Sequence, residues 1–221
     1  MEGTRTLRAV RSWQEAVPDR GSDSGVHEAM LLTVGALGYE GATAQEVADR
    51  AGLSRDQFQR RFGGKDECFG QAYEEAADRL CEELLEAGRR ASTWRLGFRA
   101  ALAELLRTVA EQPLLAKALL IEVRAARGRA WDTHQRVIER LIAAVDSARK
   151  DPDALPTISR MTAGFMVGAI EESIGLEIGA GRAAEVQRLL PDLTHLVVLN
   201  YFGEDEAWLE LRSTDTAAPA G

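Results

Sequence analysis

Along most of this chain apolar positions recur three and four residues apart, the spacing of one face of an α-helix. Val26, Ala29, Met30, Thr33 and Leu37 form the first such stripe, with Ser24 placed to cap it and Gly38 to end it. A short second helix opens at Thr43, whose hydroxyl and Glu46 have capping-box spacing, and buries Val47, Ala48 and Ala51. Gly52 permits a sharp turn and Leu53 plugs it. Ser54 and Gln57 then open a third helix that buries Phe58 and Phe62 and stops at Gly63-Gly64. Six further helical stretches are predicted at about 65–88, 93–111, 113–127, 129–149, 157–180 and 183–202, with Pro113 in a first turn and a loop over 150–156. The sequence has no period-two alternation, so the fold class is all-α, with about nine helices.

Two short helices joined by Ala51-Gly52-Leu53-Ser54 have the proportions of a helix-turn-helix, whose second helix enters the major groove of DNA. With Phe58 and Phe62 inward, Asp56 and Arg60 point most directly outward, flanked by Gln57, Gln59 and Arg61, with Ser54 and Arg55 at the helix start. Arginine pairs with guanine, glutamine with adenine, and aspartate accepts from cytosine. Lys65 and Thr43, each at a helix N-terminus, are candidate phosphate contacts. The net charge of −8 excludes indiscriminate nucleic-acid binding, yet four of the five basic residues between 25 and 70 fall between Arg55 and Lys65.

The residues Gly38-Tyr39, Thr43-Ala44, Glu46-Val47-Ala48, Ala51-Gly52-Leu53-Ser54, Phe58, Phe62 and Lys65-Asp66 resemble the N-terminal domain of TetR-family regulators over about residues 25–70. The resemblance implies an all-helical chain of nine or so helices, dimerised by its last two long helices, with a ligand pocket among the middle ones. The chain departs from the family where Asp56-Gln57 replaces a common Gly-Thr and Gln59 a phosphate-contacting Tyr.

Four glycines, Gly164, Gly168, Gly175 and Gly179, fall on one side of the 157–180 helix, beside an apolar face of Ala163, Val167, Ile170, Ile174 and Ile178. A smooth stripe of small residues admits a close-packed partner helix. A homodimer interface is therefore expected around the four glycines with Glu171, Leu193 and Val197, where Glu171 pairs with an arginine across the interface or faces a ligand. An intrachain core role for the same helix is the alternative. An apolar or aromatic small molecule is expected among Trp94, Phe98, Trp131 and Phe165, with Met161 and Met166 nearby and Glu122, Arg124 and His134 as polar anchors.

The domain reading is a leader over 1–24, a helix-turn-helix domain over 25–70, a ligand-binding and dimerisation domain over 71–203, and an acidic, flexible tail over 204–221. The leader's Arg5, Arg8 and Arg11 form either a minor-groove arm or a solvated tail. Cys68 and Cys81, 13 residues apart on one predicted helix, cannot bridge within it and are read as reduced thiols. No metal, cofactor or catalytic spacing stands out. With no apolar run of membrane-spanning length, the expectation is a cytoplasmic repressor that binds a double-stranded operator as a dimer. A helical interaction protein without DNA binding, and an all-α enzyme, are the competing classes.

Overall fold

A computed structural model describes residues 21–212. Among them there are ten α-helices and no strand: α1 (Asp23–Leu37), α2 (Ala44–Ala51), α3 (Arg55–Phe62), α4 (Lys65–Arg89), α5 (Trp94–Glu111), α6 (Pro113–Leu120), α7 (Arg129–Asp146), α8 (Thr162–Gly179), α9 (Leu190–Phe202) and α10 (Glu204–Arg212). Short 3-10 segments follow α6 (Glu122–Ala125) and α7 (Ser147–Lys150) and precede α9 (Ala183–Leu189).

The N-terminal helices obey their local signals closely. Both capping boxes form, Thr43 with Glu46 and Ser54 with Gln57, and Gly52 takes the left-handed conformation (φ 73°) that lets α3 turn away from α2. The cap of α1 is Ser22 rather than Ser24, because only the Ser22 hydroxyl reaches a free first-turn amide, that of Gly25. Where the predicted elements break, the backbone supplies the reason. The 183–202 stretch opens as a 3-10 segment, and Pro191 sits in the first turn of α9, where a residue without an N–H fits. The expected tail is helical over Glu204–Arg212: Arg95 and Arg99 of α5 pair with Glu206 and Glu210 of α10, and Ala207 is fully buried.

Two apolar cores result. One gathers α1–α3, the N-terminal half of α4 and parts of α6 and α7, from Met30 and Phe58 to Leu119 and Val137, so it runs past residue 70 without interruption. The other joins α5, α8, α9 and α10 around Leu106, Ile174 and Tyr201. Gly35 of α1 lies against the start of α6, where a Cβ would sit 2.1 Å from the Leu114 carbonyl oxygen. Along their other faces, α4 and α7 are linked by Arg129, Arg136 and Arg140 of α7 with Glu67, Glu74, Asp78 and Glu82 of α4.

Candidate nucleic-acid interface and central cavity

The buried pair Phe58 and Phe62 fixes how α3 sits, and the opposite face is polar and exposed. Arg55, Asp56 and Arg60 stand on that face with no partner among the described residues, free to meet base edges or phosphates. The other candidates are engaged. The Gln57 side chain accepts from the Ser54 amide and Gln59 donates to the Gly63 carbonyl, so both hold the ends of α3. Thr43 caps α2 while its hydroxyl donates to Glu46, and Ser54 caps α3.

Arg61 and Lys65 depart furthest from expectation. Arg61 donates to the Gly21 carbonyl (2.6 Å), pairs with Asp23 and lies over the Phe62 ring, fastening α3 to the start of α1. Lys65 donates to the Tyr39 carbonyl (2.9 Å) and covers the Tyr39 ring, whose hydroxyl donates to Asp66 (2.8 Å). Burial and the hydrogen bond to Asp66 push the Tyr39 phenol well above its usual range, so it stays a donor.

A cavity of about 350 Å³ lies between α4, α5, α6, α7 and α8. Its wall is mostly Leu, Ile, Val and Ala, with Trp94 and Phe98 stacked at 5.3 Å on one side and Tyr73, His134 and Glu171 together at one end. Along α4 the lining runs from Tyr73 to the exposed Arg89, about 24 Å of helix. The Trp94 indole N–H is occupied by Ser147 (3.1 Å), leaving its ring as apolar surface.

Of the predicted ligand residues, Trp94, Phe98 and the anchor His134 line this cavity. Trp131 is 37% exposed and packs on the outer side of His134. Phe165 and Met161, each 62% exposed, point away, and Met166 packs in the second core. Glu122 lies outside the wall: it accepts from the Tyr39 amide (2.8 Å) and pairs with Lys117 (3.4 Å), tying the end of α6 to the loop after α1. Sequence reasoning missed Tyr73 and the run Ala77, Leu80, Cys81, Leu84, Leu85 and Gly88. Their signal was the length of α4, 25 residues with a second apolar face beyond the one that supports α1. Cys81 is free, as is Cys68, and burial pushes both thiols upward, Cys68 to about 12.

The dimer candidates divide. Gly168, Gly175 and Gly179 have open space beyond them, and with exposed Phe165 and Leu176 they form an apolar outward face of α8; Gly164 lies nearer its own chain, close to Ile142. Leu193 and Val197 are buried in the protomer's own core and cannot contact a second copy. Glu171 belongs to the cavity and pairs with Arg124 of the same chain, because α8 turns its border between the buried and the glycine faces toward α7.

Residues 35–72 match the sequence model of bacterial regulatory proteins of the tetR family. No curated protein matches the chain as a whole. Among solved structures, the fatty acid degradation regulator FadR from Bacillus halodurans aligns with a TM-score of 0.69 and 13% identity, over 78% of this chain and 96% of that one. FadR from Bacillus subtilis, solved with stearoyl-CoA, gives 0.69 and 14% over the same shares. A transcriptional regulator from Rhodococcus sp. Rha1 gives 0.66 and 21%, over 81% of this chain and 97% of the other. At such identities the likeness is one of fold.

Proposed function

We propose that the chain is a regulator of the TetR type, a cytoplasmic, ligand-responsive repressor that binds a pseudo-palindromic operator as a homodimer; its residues 35–72 match the model of bacterial regulatory proteins of the tetR family, and its fold is like that of FadR. The observation that carries this reading is the bond between reader and pocket. The helix α3, with its unpartnered Arg55, Asp56 and Arg60, is set against the start of the helix whose other half walls the central cavity. A small molecule between α4 and its neighbours therefore acts on the element that positions α3.

A second copy docks through the outward face of α8, with Phe165, Gly168, Leu176 and Gly179 at its centre. Burying these side chains removes large apolar groups from water, and the glycines let the helices approach. FadR from Bacillus subtilis holds stearoyl-CoA, and the apolar wall here suits a ligand with a hydrophobic body of comparable slenderness.

The test is selection of bound sequences from a random duplex pool, followed by anisotropy titration of the enriched site. A palindromic site bound with nanomolar affinity, and weakened by Arg60→Ala, supports the proposal. Failure to enrich any sequence overturns it.

A further inference from the structure

At its inner end the cavity has an acceptor with nothing to accept. Glu171 Oε1 is buried and has no hydrogen-bond donor among the described residues. Arg124 and the Nε2 of His134 each approach it at 3.5 Å, near enough to feel its charge and too far to donate. The neighbouring network fixes the reason. Tyr73 has one proton and donates it to the Leu119 carbonyl (3.1 Å), so His134 Nδ1, 3.0 Å from the phenol oxygen, donates to that oxygen. In the neutral ring Nε2 then presents a lone pair to Glu171, acceptor against acceptor. Burial holds His134 below its ordinary pKa despite Glu171, which keeps the ring neutral near pH 7.

What this end lacks is a donor, and what the rest of the wall offers is apolar surface with the Trp94–Phe98 stack. Resting on the reading of the cavity as the ligand site, we infer that its ligand is an amphiphilic amine, with a hydrophobic body lying along α4 and a protonated nitrogen donating to Glu171 Oε1. A carboxylate head is repelled at that position. An acyl-CoA, keeping its phosphates in solvent, brings its terminal methyl against the carboxylate and leaves the oxygen unpartnered, at the cost of a buried lone polar atom. Arg124 does not obstruct the amine: its side chain is half exposed and already reaches Glu172 (3.4 Å), onto which it can turn completely.

The experiment is isothermal titration of the full-length protein with four probes of equal tail length: dodecylamine, dodecanol, dodecanoate and dodecanoyl-CoA. Dodecylamine is expected to bind tightest; dodecanol, whose hydroxyl can donate to the carboxylate but brings no positive charge, about tenfold more weakly, and the two anions least. Glu171→Gln keeps the side chain's size, and its amide can donate to His134 Nε2, so the variant folds, which helical circular dichroism verifies. It is expected to bring dodecylamine down to the affinity of dodecanol. Dodecanoate or dodecanoyl-CoA binding tighter than the amine, or an unchanged amine affinity in Glu171→Gln, overturns this inference and leaves the ligand cavity standing. If none of the four binds, the cavity itself is not the ligand site and both readings fall.

Discussion

Glu122→Ala removes a single side chain from the joint between the two halves of the molecule, and the structure sets the size of the effect. Glu122 is 16% exposed, and its Oε2 accepts the Tyr39 amide at 2.8 Å. Tyr39 is also where Lys65 and Asp66 attach, so its backbone is held from three sides. A hydrogen bond to a charged acceptor contributes about 1.5–3 kcal/mol, and truncation leaves the amide of a part-buried loop without its partner. The partly exposed Lys117 pair adds little. The expected loss is about 2 kcal/mol, which for a chain of this size lowers Tm by roughly 4–8 °C. Glu122→Gln retains an acceptor oxygen and should lose about half as much. Thermal unfolding followed by circular dichroism at low protein concentration measures both. A Glu122→Ala loss below about 0.5 kcal/mol, the range of an ordinary surface substitution, refutes the argument that this carboxylate holds the joint.

Arg60→Ala and Arg55→Ala should weaken operator binding by about 1–3 kcal/mol each if the arginine reads a guanine, with unchanged Tm, whereas Arg61→Ala should lower Tm while costing DNA affinity only indirectly; equal losses of affinity from all three would contradict the geometry of α3. Phe165→Asp, at a 62% exposed position, should give a folded monomer in light scattering where the wild type gives a dimer, and a wild-type monomer at micromolar concentration rules the interface out. Because burial lowers the His134 pKa, the unfolded chain takes up that proton first; His134 therefore contributes stability above about pH 6.5 that is lost as pH falls through its lower folded value. His134→Gln should flatten the decline in stability between about pH 7 and pH 5, and an unaltered slope argues against a neutral buried ring.

How much of this was legible in the sequence depended on how local the cause is. The helix-turn-helix was legible almost to the residue, because capping boxes and the Gly52 turn act within four positions. Arg61 and Lys65 were read as DNA contacts from helix position alone; the protein partners they also have, Gly21, Asp23 and Tyr39, lie 26 to 40 residues away and exist only once α1 packs on α3 and α4. The helix α10 was hidden for the same reason: its acidic composition looks like a solvated tail until Arg95 and Arg99, 111 residues earlier, meet it. On α8 the periodicity correctly separated a buried face from a glycine face but could not tell which neighbour Glu171, on their border, would meet. Leu193 and Val197 erred in the opposite way, since an apolar stripe on a last helix serves the protomer's core as well as it serves a partner's.

On the proposed function, the cavity and the reading helix are joined by a closed ring of contacts. Tyr39 binds Asp66 at the start of α4, α4 carries Tyr73 to the cavity, Tyr73 binds Leu119 of α6, and Glu122 just beyond α6 returns to the Tyr39 amide. Arg124, which pairs with Glu171 at the cavity's polar end, lies two residues after Glu122 in the same 3-10 turn. A ligand that displaces Arg124 thus pulls on the turn that holds Tyr39 and, through it, the start of α4. The energies are commensurate. A hundredfold drop in operator affinity needs a coupling of about 2.7 kcal/mol, close to the worth of one charge-assisted hydrogen bond in this ring. Linkage then requires that operator DNA weaken the ligand by the same hundredfold, and that cutting the ring at Glu122 diminish both effects equally. A ligand titration with and without operator, on wild type and Glu122→Ala, carries that equality to a measurement; a coupling left intact in the variant means that the signal passes by another route.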